Sequence, residues 1–460
     1  MKILLTARTF KPPFTGGVDV YVERLGKALI HLGHEIGVVA LDASANTGEN
    51  AITAAQEEAA GIPVWRLKFD FSKRPKTAFD TVYDPEMGEI FKKVLLREKP
   101  DLLIILNFYT LTLAAVEAAK SLGIPTVHIA TDFVPICRRA TLIRWNGEAC
   151  QVGESLKSCS ECFVSHRLPG RVIASVFNQL LPEEKLAHLA ENRHAYQLPH
   201  PLGALKPYWE QVAIISKRLE TLKPLRRMLD LVITPTKFTS EMFLANGFTP
   251  EQVHFLPFAV EPDNPLTGVQ KKPSSFRRFL FIGRLQPYKG AHVLVEAFNK
   301  LENPQNATLT IYGKPDGHES YYKQLEAAIG SNKQIHFPGS IPPSELGNAF
   351  ANADYFILPS TWHENNPLIL LDALQSNTPV IASDIGGVRD VVKDHVNGFL
   401  FPMGDAKALQ KVLQNTIDTP TLLEQLKPNG NLPDIITYAQ TILDLSQKKI
   451  KKSSRASETL

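Results

Sequence analysis

Glu364, Asn365, Asn366 and Pro367 stand directly ahead of an apolar run, 368–374, that carries Asp372 inside it. A core helix has no use for a carboxylate two turns in, and a plain loop does not need Glu364 crowded between His363 and two asparagines. The pattern suits anion binding. Asn366 can cap a helix and Pro367 fits its first position. The free N–H groups and positive dipole end at such a start favour an anion, best matched by phosphate. Asp372 then lies about five residues into the helix, roughly 7–9 Å along its axis. Two carboxylates would flank the phosphate position, each able to accept hydrogen bonds from hydroxyls. The sugar–diphosphate–ribose outline of a nucleotide-sugar has that shape.

A second phosphate element reads "GRLQPYKG" over 283–290. Gly283 and Arg284 follow an apolar strand-like run, and Lys289 comes one loop later. A guanidinium and an ammonium here would give charge-assisted bonds to a diphosphate. Arg and Lys near a loop are ordinarily solvated surface; only together with the helix start do they form a constellation. His363 could touch a sugar or be a solvated loop histidine. His128, in a strand pattern, reads as a core residue. Gly386 and Gly387 read as a turn that starts a helix, or as a close approach of backbone to a ligand.

These residues need a frame, and the sequence supplies it by alternation. At 460 residues the chain is long enough for two domains. In the first half, 2–7, 36–41, 101–107, 125–130, 229–236 and 252–258 read as strands, separated by helical stretches that include 18–32, 111–121 and a long region from about 172 to 229. The segment 260–277, rich in Pro, Lys and Ser, reads as a linker. Beyond it, 278–284, 307–313, 334–339, 354–360 and 379–384 read as strands with helices between them. This predicts an α/β chain of two doubly wound parallel-sheet domains facing a cleft, with ligands at the carboxyl ends of the strands. The expected bounds are 1–262 and 276–430. A C-terminal helix over 431–460 is expected to pack back on the first domain and to end in a polar, basic, disordered tail. There is no G-x-G-x-x-G after either first strand, no Asp-x-Asp pair and no G-x-S-x-G elbow.

The runs "GRLQPYKG", "PSTWHENNPLILLDAL" and "NTPVIASDIGGVRDVV", with "TPTKFTSEMFLANG" and "VHFLPFAVE" before them, resemble the retaining glycosyltransferases of family 4, which have the GT-B fold of two Rossmann-like domains. The resemblance covers nearly the whole chain. It implies transfer of a sugar from a nucleotide-diphosphate donor to a saccharide or lipid-linked acceptor, in polysaccharide or glycolipid synthesis, with no metal at the reaction centre. On this resemblance Arg284 and Lys289 would bind the donor diphosphate, and Glu364 would sit beside the donor sugar. The backbone at Gly283, Asn366, Pro367 and Leu368 would approach sugar and phosphate, and Asp372 the nucleoside side. Gly16 and Gly17 would let the first-domain loop come close to phosphate or acceptor. Asp132 would serve the acceptor side, although Thr131 stands where the family often has His. Asp372 stands where the family usually has Glu, which shortens the reach by about 1.3–1.5 Å. A nucleotide-sugar epimerase, a phosphorylase and a catalytically weak donor-binding subunit are the alternatives on the same frame.

All four cysteines fall within a stretch expected as an insertion at about 133–170: Cys137, Cys150, Cys159 and Cys162. Buried thiols or two disulfides are the plain readings. The C-x-x-C with two further cysteines also suits a structural zinc site. Composition bounds the rest. A net charge of +3 is near neutral for this length and argues against a nucleic-acid partner. No apolar run approaches a membrane span, and the start "MKILLTARTFKPPF" reads as a strand, not a signal peptide. A cytoplasmic protein is expected. Lys217, Arg218, Lys223, Arg226 and Arg227 on one helix are a solvated face or a contact with anionic lipid at the inner face of the membrane.

Overall fold

A computed structural model of the chain describes residues 1–12, 16–42, 52–68, 83–108, 112–150, 154–163, 168–191, 206–315, 317–428 and 432–457. The chain divides into two compact units. One holds Met1–Thr234, Ser240–His254 and the chain from Ile442 onward; the other holds Pro235–Thr239 and Phe255–Thr441.

The first unit is built on β1 (Lys2–Thr6), β2 (Glu35–Asp42), β3 (Thr53–Ala59), β4 (Ile62–Lys68), β5 (Leu102–Ile105), β6 (Thr126–Ile129), β7 (Leu231–Thr234) and β8 (Val253–Phe255). Their order in the sheet is β3-β4-β2-β1-β5-β6-β7-β8. The pairs from β4 to β7 are parallel, and β3 runs antiparallel to β4. The sequence reading missed β3 and β4. β3 is exposed along most of its length and reads TAAQEEA, without the apolar run that marks the central strands. β5 and β6, by contrast, are buried at every position, as strands covered on both faces must be.

The second unit holds β9 (Arg277–Ile282), β10 (Ala307–Tyr312), β11 (Ile335–Gly339), β12 (Tyr355–Leu358), β13 (Val380–Ser383) and β14 (Gly398–Phe401). The order is β11-β10-β9-β12-β13-β14, and every pair is parallel. Counted within the unit this is 3-2-1-4-5-6, the doubly wound order of a Rossmann sheet. Helices close both faces. Ala406–Asp418 shows how the sequence sets them: Asp405 accepts the Ala408 N–H as its cap, worth about 1 kcal/mol, and Leu409 and Leu413 turn one face into the core.

Three stretches differ from expectation. The segment 260–277 has the composition of a linker, yet it packs within the second unit. Leu266 is in the core, the Lys272 N–H bonds the Ala351 carbonyl at 3.0 Å, and Arg277 starts β9. Among the described residues the helical region 172–229 is three helices, Leu168–Leu180, Glu183–Glu191 and Lys206–Met228; the last runs through Pro224. Residues 192–205 lie outside the described residues. At the end, the helix Ile435–Ser457 takes in most of the run expected as a disordered tail. Lys, Gln, Ser and Arg there are tolerable helix formers with no Gly or Pro to stop them.

Candidate active site

In the second unit the strand order reverses between β9 and β12, so the loops leaving their carboxyl ends diverge and open a crevice. Those two loops are 283–290 and 359–367. They are stitched together: the Thr361 N–H donates to the Tyr288 carbonyl at 2.8 Å. Gly290 has φ +73°, and a Cβ there would lie 1.8 Å from the Pro359 carbonyl oxygen. Only glycine permits that approach. Lys289 is thereby held against the β12 loop, where its Nζ lies 2.7 Å from Glu364 Oε1 and 5.0 Å from the centre of the Trp362 ring. Ser360 Oγ donates to the same Oε1 at 2.6 Å. Glu364 is 3% exposed.

The residues around this pair carry polar atoms with nothing to bond. Both ring nitrogens of His363, both amide atoms of Asn366 and Trp362 Nε1 are buried without a partner. His363 stacks on Phe238 at 4.0 Å, and burial lowers its pKa, so the ring is neutral at pH 7. Asn365 is fixed instead: Thr239 Oγ1 donates to its Oδ1 at 2.6 Å. Gly387 also serves this loop by packing. A Cβ there would lie 2.3 Å from the Glu364 carbonyl oxygen, and Gly386 begins the helix Gly386–Val391, as the turn reading has it.

The helix after the loop is Leu368–Gln375, and Pro367 occupies its N-cap position with no capping side chain. The expected cap by Asn366 is not made. Asn366 has φ +55°, whereas a capping residue takes extended dihedrals. The first N–H groups of the helix therefore receive no bond from an N-cap side chain. Asp372 is buried within the helix, and Arg284 is exposed on the loop after β9, next to Gly283. Ser360, Trp362 and Phe238 were not singled out by sequence reasoning. Ser360 had a findable signal, one hydroxyl just past the strand end and one helical turn before Glu364.

In the first unit, Gly16 is the N-cap of the helix Gly17–His31, and a Cβ there would meet only Asp19 Oδ2, at 3.9 Å. Packing does not demand glycine at Gly16. The preceding residues 13–15 lie outside the described residues. Asp132 follows β6. Burial pushes its pKa up to about 6, against the Val134 and Phe108 amides; the Val134 N–H donates to Oδ1 at 2.9 Å. The next carbonyls are clamped. Arg218 Nη2 donates to the Val134 carbonyl at 2.6 Å and Arg226 Nε to the Pro135 carbonyl at 2.9 Å, while Glu154 accepts from both guanidinia. This corrects the reading of the basic helix: Arg218 and Arg226 are buried structural cations, and only Lys217, Lys223 and Arg227 are exposed. His128 is a core residue, with Nδ1 2.9 Å from the Ile105 carbonyl and a pKa lowered to about 4 by burial.

The zinc expectation finds no support. None of the four cysteines is in a disulfide, and among the described residues no group of three or more His, Cys, Asp or Glu is gathered to hold a metal. Cys137 and Cys150 flank an antiparallel bridge between Ile143 and Ala149, while Cys159 and Cys162 lie on the helix Leu156–Phe163. Burial, with Glu154 and the other thiols adding, pushes the Cys159 thiol up to about 12.

Two parallel α/β units, the second with a cation–carboxylate site at its switch point, define the GT-B class of fold. A glycosyl transferase 4-like domain matches residues 16–156, and a domain of glycosyl transferases group 1 matches residues 266–432. The two matches, in this order along the chain, agree with the family 4 resemblance. D-inositol 3-phosphate glycosyltransferase of Corynebacterium efficiens is 33% identical over 144 residues, 30% of this chain and 34% of that protein. The chain thus spans about a third of the length of the curated relatives it matches. Among solved structures, HepE of Anabaena in complex with UDP and glucose superposes with a TM-score of 0.62 at 17% identity, covering 96% of this chain and 98% of that one. Sucrose-phosphate synthase of Thermosynechococcus elongatus gives 0.61 at 17%, covering 100% of both. No helix among the described residues is long and apolar enough to cross a membrane.

Proposed function

We propose that the chain moves a sugar from a nucleoside-diphosphate donor to a saccharide or lipid-linked acceptor, with retention at the anomeric carbon. The observation that carries this reading is the 2.7 Å contact of Lys289 with Glu364 at the switch point, beside a helix start without a side-chain cap. Breaking the sugar–phosphate bond builds positive charge on the sugar and negative charge on the diphosphate. Lys289, Arg284 and the N–H groups at Leu368 and Ile369 stabilise the leaving diphosphate as fixed positive groups. In the free protein Glu364 neutralises Lys289; with donor bound, diphosphate takes over the ammonium and Glu364 turns its oxygens to sugar hydroxyls. His363 and Asn366, buried and unpartnered, offer further polar contacts to the sugar.

Asp132 is the acceptor-side carboxylate of this scheme, and Gly16 and Gly17 leave room for backbone approach. Asp372 serves the ribose side. The chemistry needs no catalytic cofactor. A lipid-linked acceptor would bring the protein to the inner membrane face through Lys217, Lys223 and Arg227. HepE was solved with UDP and glucose, which makes UDP-glucose the first donor to assay.

The test is glycosyl transfer and donor hydrolysis by the purified chain against a panel of nucleotide sugars. Lys289→Ala and Glu364→Gln are each expected to lower transfer by about 10²–10³-fold, as loss of one fixed charge-stabilising group does, with the fold retained. Full activity in both variants refutes the assignment. Donor consumption without acceptor dependence, releasing an epimerised sugar, would favour the epimerase reading.

A further inference from the structure

The second unit has a cavity of about 340 Å³ at the end of its sheet opposite Glu364 and Lys289. Its wall is the amino-terminal side of the strands: Arg277 and Arg278 begin β9, Asp354 precedes β12 and Pro379 precedes β13. Lys271 and Lys272 come from the segment ahead of β9. Four cations and one carboxylate therefore line a single concavity, and the carboxylate is already engaged. Asp354 takes the Arg278 backbone N–H at 2.8 Å and Arg278 Nη2 at 2.9 Å.

The other three cations meet neutral acceptors. Lys271 Nζ bonds the Phe350 carbonyl at 2.9 Å and the Thr378 hydroxyl. Arg277 Nε bonds the Thr416 carbonyl at 3.0 Å, and Lys272 Nζ bonds Asn348 Oδ1 at 3.0 Å. These bonds fix the side chains without cancelling their charge. A surface run of lysines would be solvated and would hold no such geometry. Here Lys271 is half-buried, and burial, with Arg278 beside it, lowers its pKa to about 8 against the pull of Asp354. Positive charge in a concave, partly desolvated wall attracts an anion more strongly than the same charge in water.

We infer that this cavity is a second anion site, separate from the donor site, that binds a phosphate or diphosphate group. Its volume is at the lower end for small-ligand pockets, enough for a phosphorylated small molecule or the headgroup of an anionic lipid. Leu423 and Leu426 on the wall offer apolar surface to the rest of either ligand. Anion binding would return a full proton to Lys271. Affinity should therefore fall as pH rises through about 8, with Lys272, Arg277, Arg278 and Asp354 as the charged groups facing it.

Inorganic pyrophosphate is the probe, titrated by calorimetry into full-length protein carrying Lys289→Ala, which cripples the donor-site cation. Saturable binding is expected, weakened at least tenfold by Lys271→Met with Arg277→Gln. The exposed Lys272→Glu, which does not touch the core, should weaken it several-fold and keeps the test valid if the double variant misfolds. Flotation with vesicles of phosphatidic acid, against pure phosphatidylcholine, separates the sources. Capture that pyrophosphate competes away and Lys272→Glu loses assigns a lipid headgroup; pyrophosphate binding without capture assigns a soluble ligand. Absence of both, or pyrophosphate binding indifferent to all three substitutions, overturns the site. None of these outcomes depends on glycosyl transfer, so this site and the donor site stand or fall separately.

Discussion

Each unit contains a buried carboxylate held by cations, and the two are built to different rules. Glu154 in the first unit is matched by two guanidinia, Arg218 and Arg226, whose remaining nitrogens go to the carbonyls of Val134, Pro135 and Asn246; one nitrogen, Arg218 Nη1, is left over. Glu364 in the second unit is matched by one ammonium and one hydroxyl, and its neighbours Trp362, His363 and Asn366 hold five buried polar atoms without partners. Buried polar groups in folded proteins are paired almost everywhere. The nearly closed network therefore reads as framework, and the open one as a place where a ligand completes the bonding.

The largest effect should come from opening the closed network. Glu154→Ala strands two buried guanidinia, and losing one partner of such an assembly costs about 3–5 kcal/mol. Glu364→Ala leaves Lys289, whose side chain is 18% exposed, able to reach water. It should cost less, about 1–3 kcal/mol for the donors left without their acceptor, while abolishing transfer. Urea unfolding of the two variants checks this. Equal costs would break the distinction between framework and site.

Asp132 sits beside the framework and tests whether the clamp serves chemistry. Its carboxyl is raised from 3.8 to about 6 by burial. The native state then binds more protons than the unfolded chain between about pH 4 and 6, so the unfolding free energy falls as pH rises through that window. The loss is at most about 3 kcal/mol, one pKa unit being about 1.4 kcal/mol. Asp132→Asn should flatten that slope. If Asp132 must be ionised to receive the acceptor proton, transfer by the unmodified chain should rise through about pH 6, and the variant should lose that limb. A slope that survives the substitution places the titration elsewhere.

The sequence announced the second unit more fully than the first, for physical reasons. β9, β12 and β13 are short, largely apolar runs followed by Gly283, Pro359 and Asp384, so both the strands and the loops at their carboxyl ends could be read directly. Lys289 and Glu364, 75 residues apart, were legible as partners only because that frame brings two loops to one switch point. β3 was hidden because its exposed residues carry no apolar signal. The roles of Arg218 and Arg226 were hidden because a basic helix looks alike whether its cations face water or an internal glutamate, and Glu154 gives no local sign of its burial. Asn366 misled in a different way. Its type suits a cap, but the left-handed backbone that carries the loop into Pro367 takes it out of capping geometry.

The smallest effect concerns Asp372, which the open site shares with the helix that follows it. Asp372 is 5% exposed on Leu368–Gln375 and is one methylene shorter than the glutamate of the family pattern. If it addresses the ribose, Asp372→Glu extends the carboxylate by about 1.3–1.5 Å and converts a long or water-mediated contact into a direct one. Donor affinity should then tighten about three- to tenfold, or about 0.7–1.4 kcal/mol. The added methylene has to fit a packed helix, and overpacking carries its own cost in stability, so donor binding and unfolding must be measured on the same variant. Tighter donor binding with a lower unfolding free energy would show a residue shortened for packing at the expense of reach. Unchanged affinity in a variant that remains folded would remove Asp372 from the donor site and leave Lys289, Glu364 and the helix start to hold the donor.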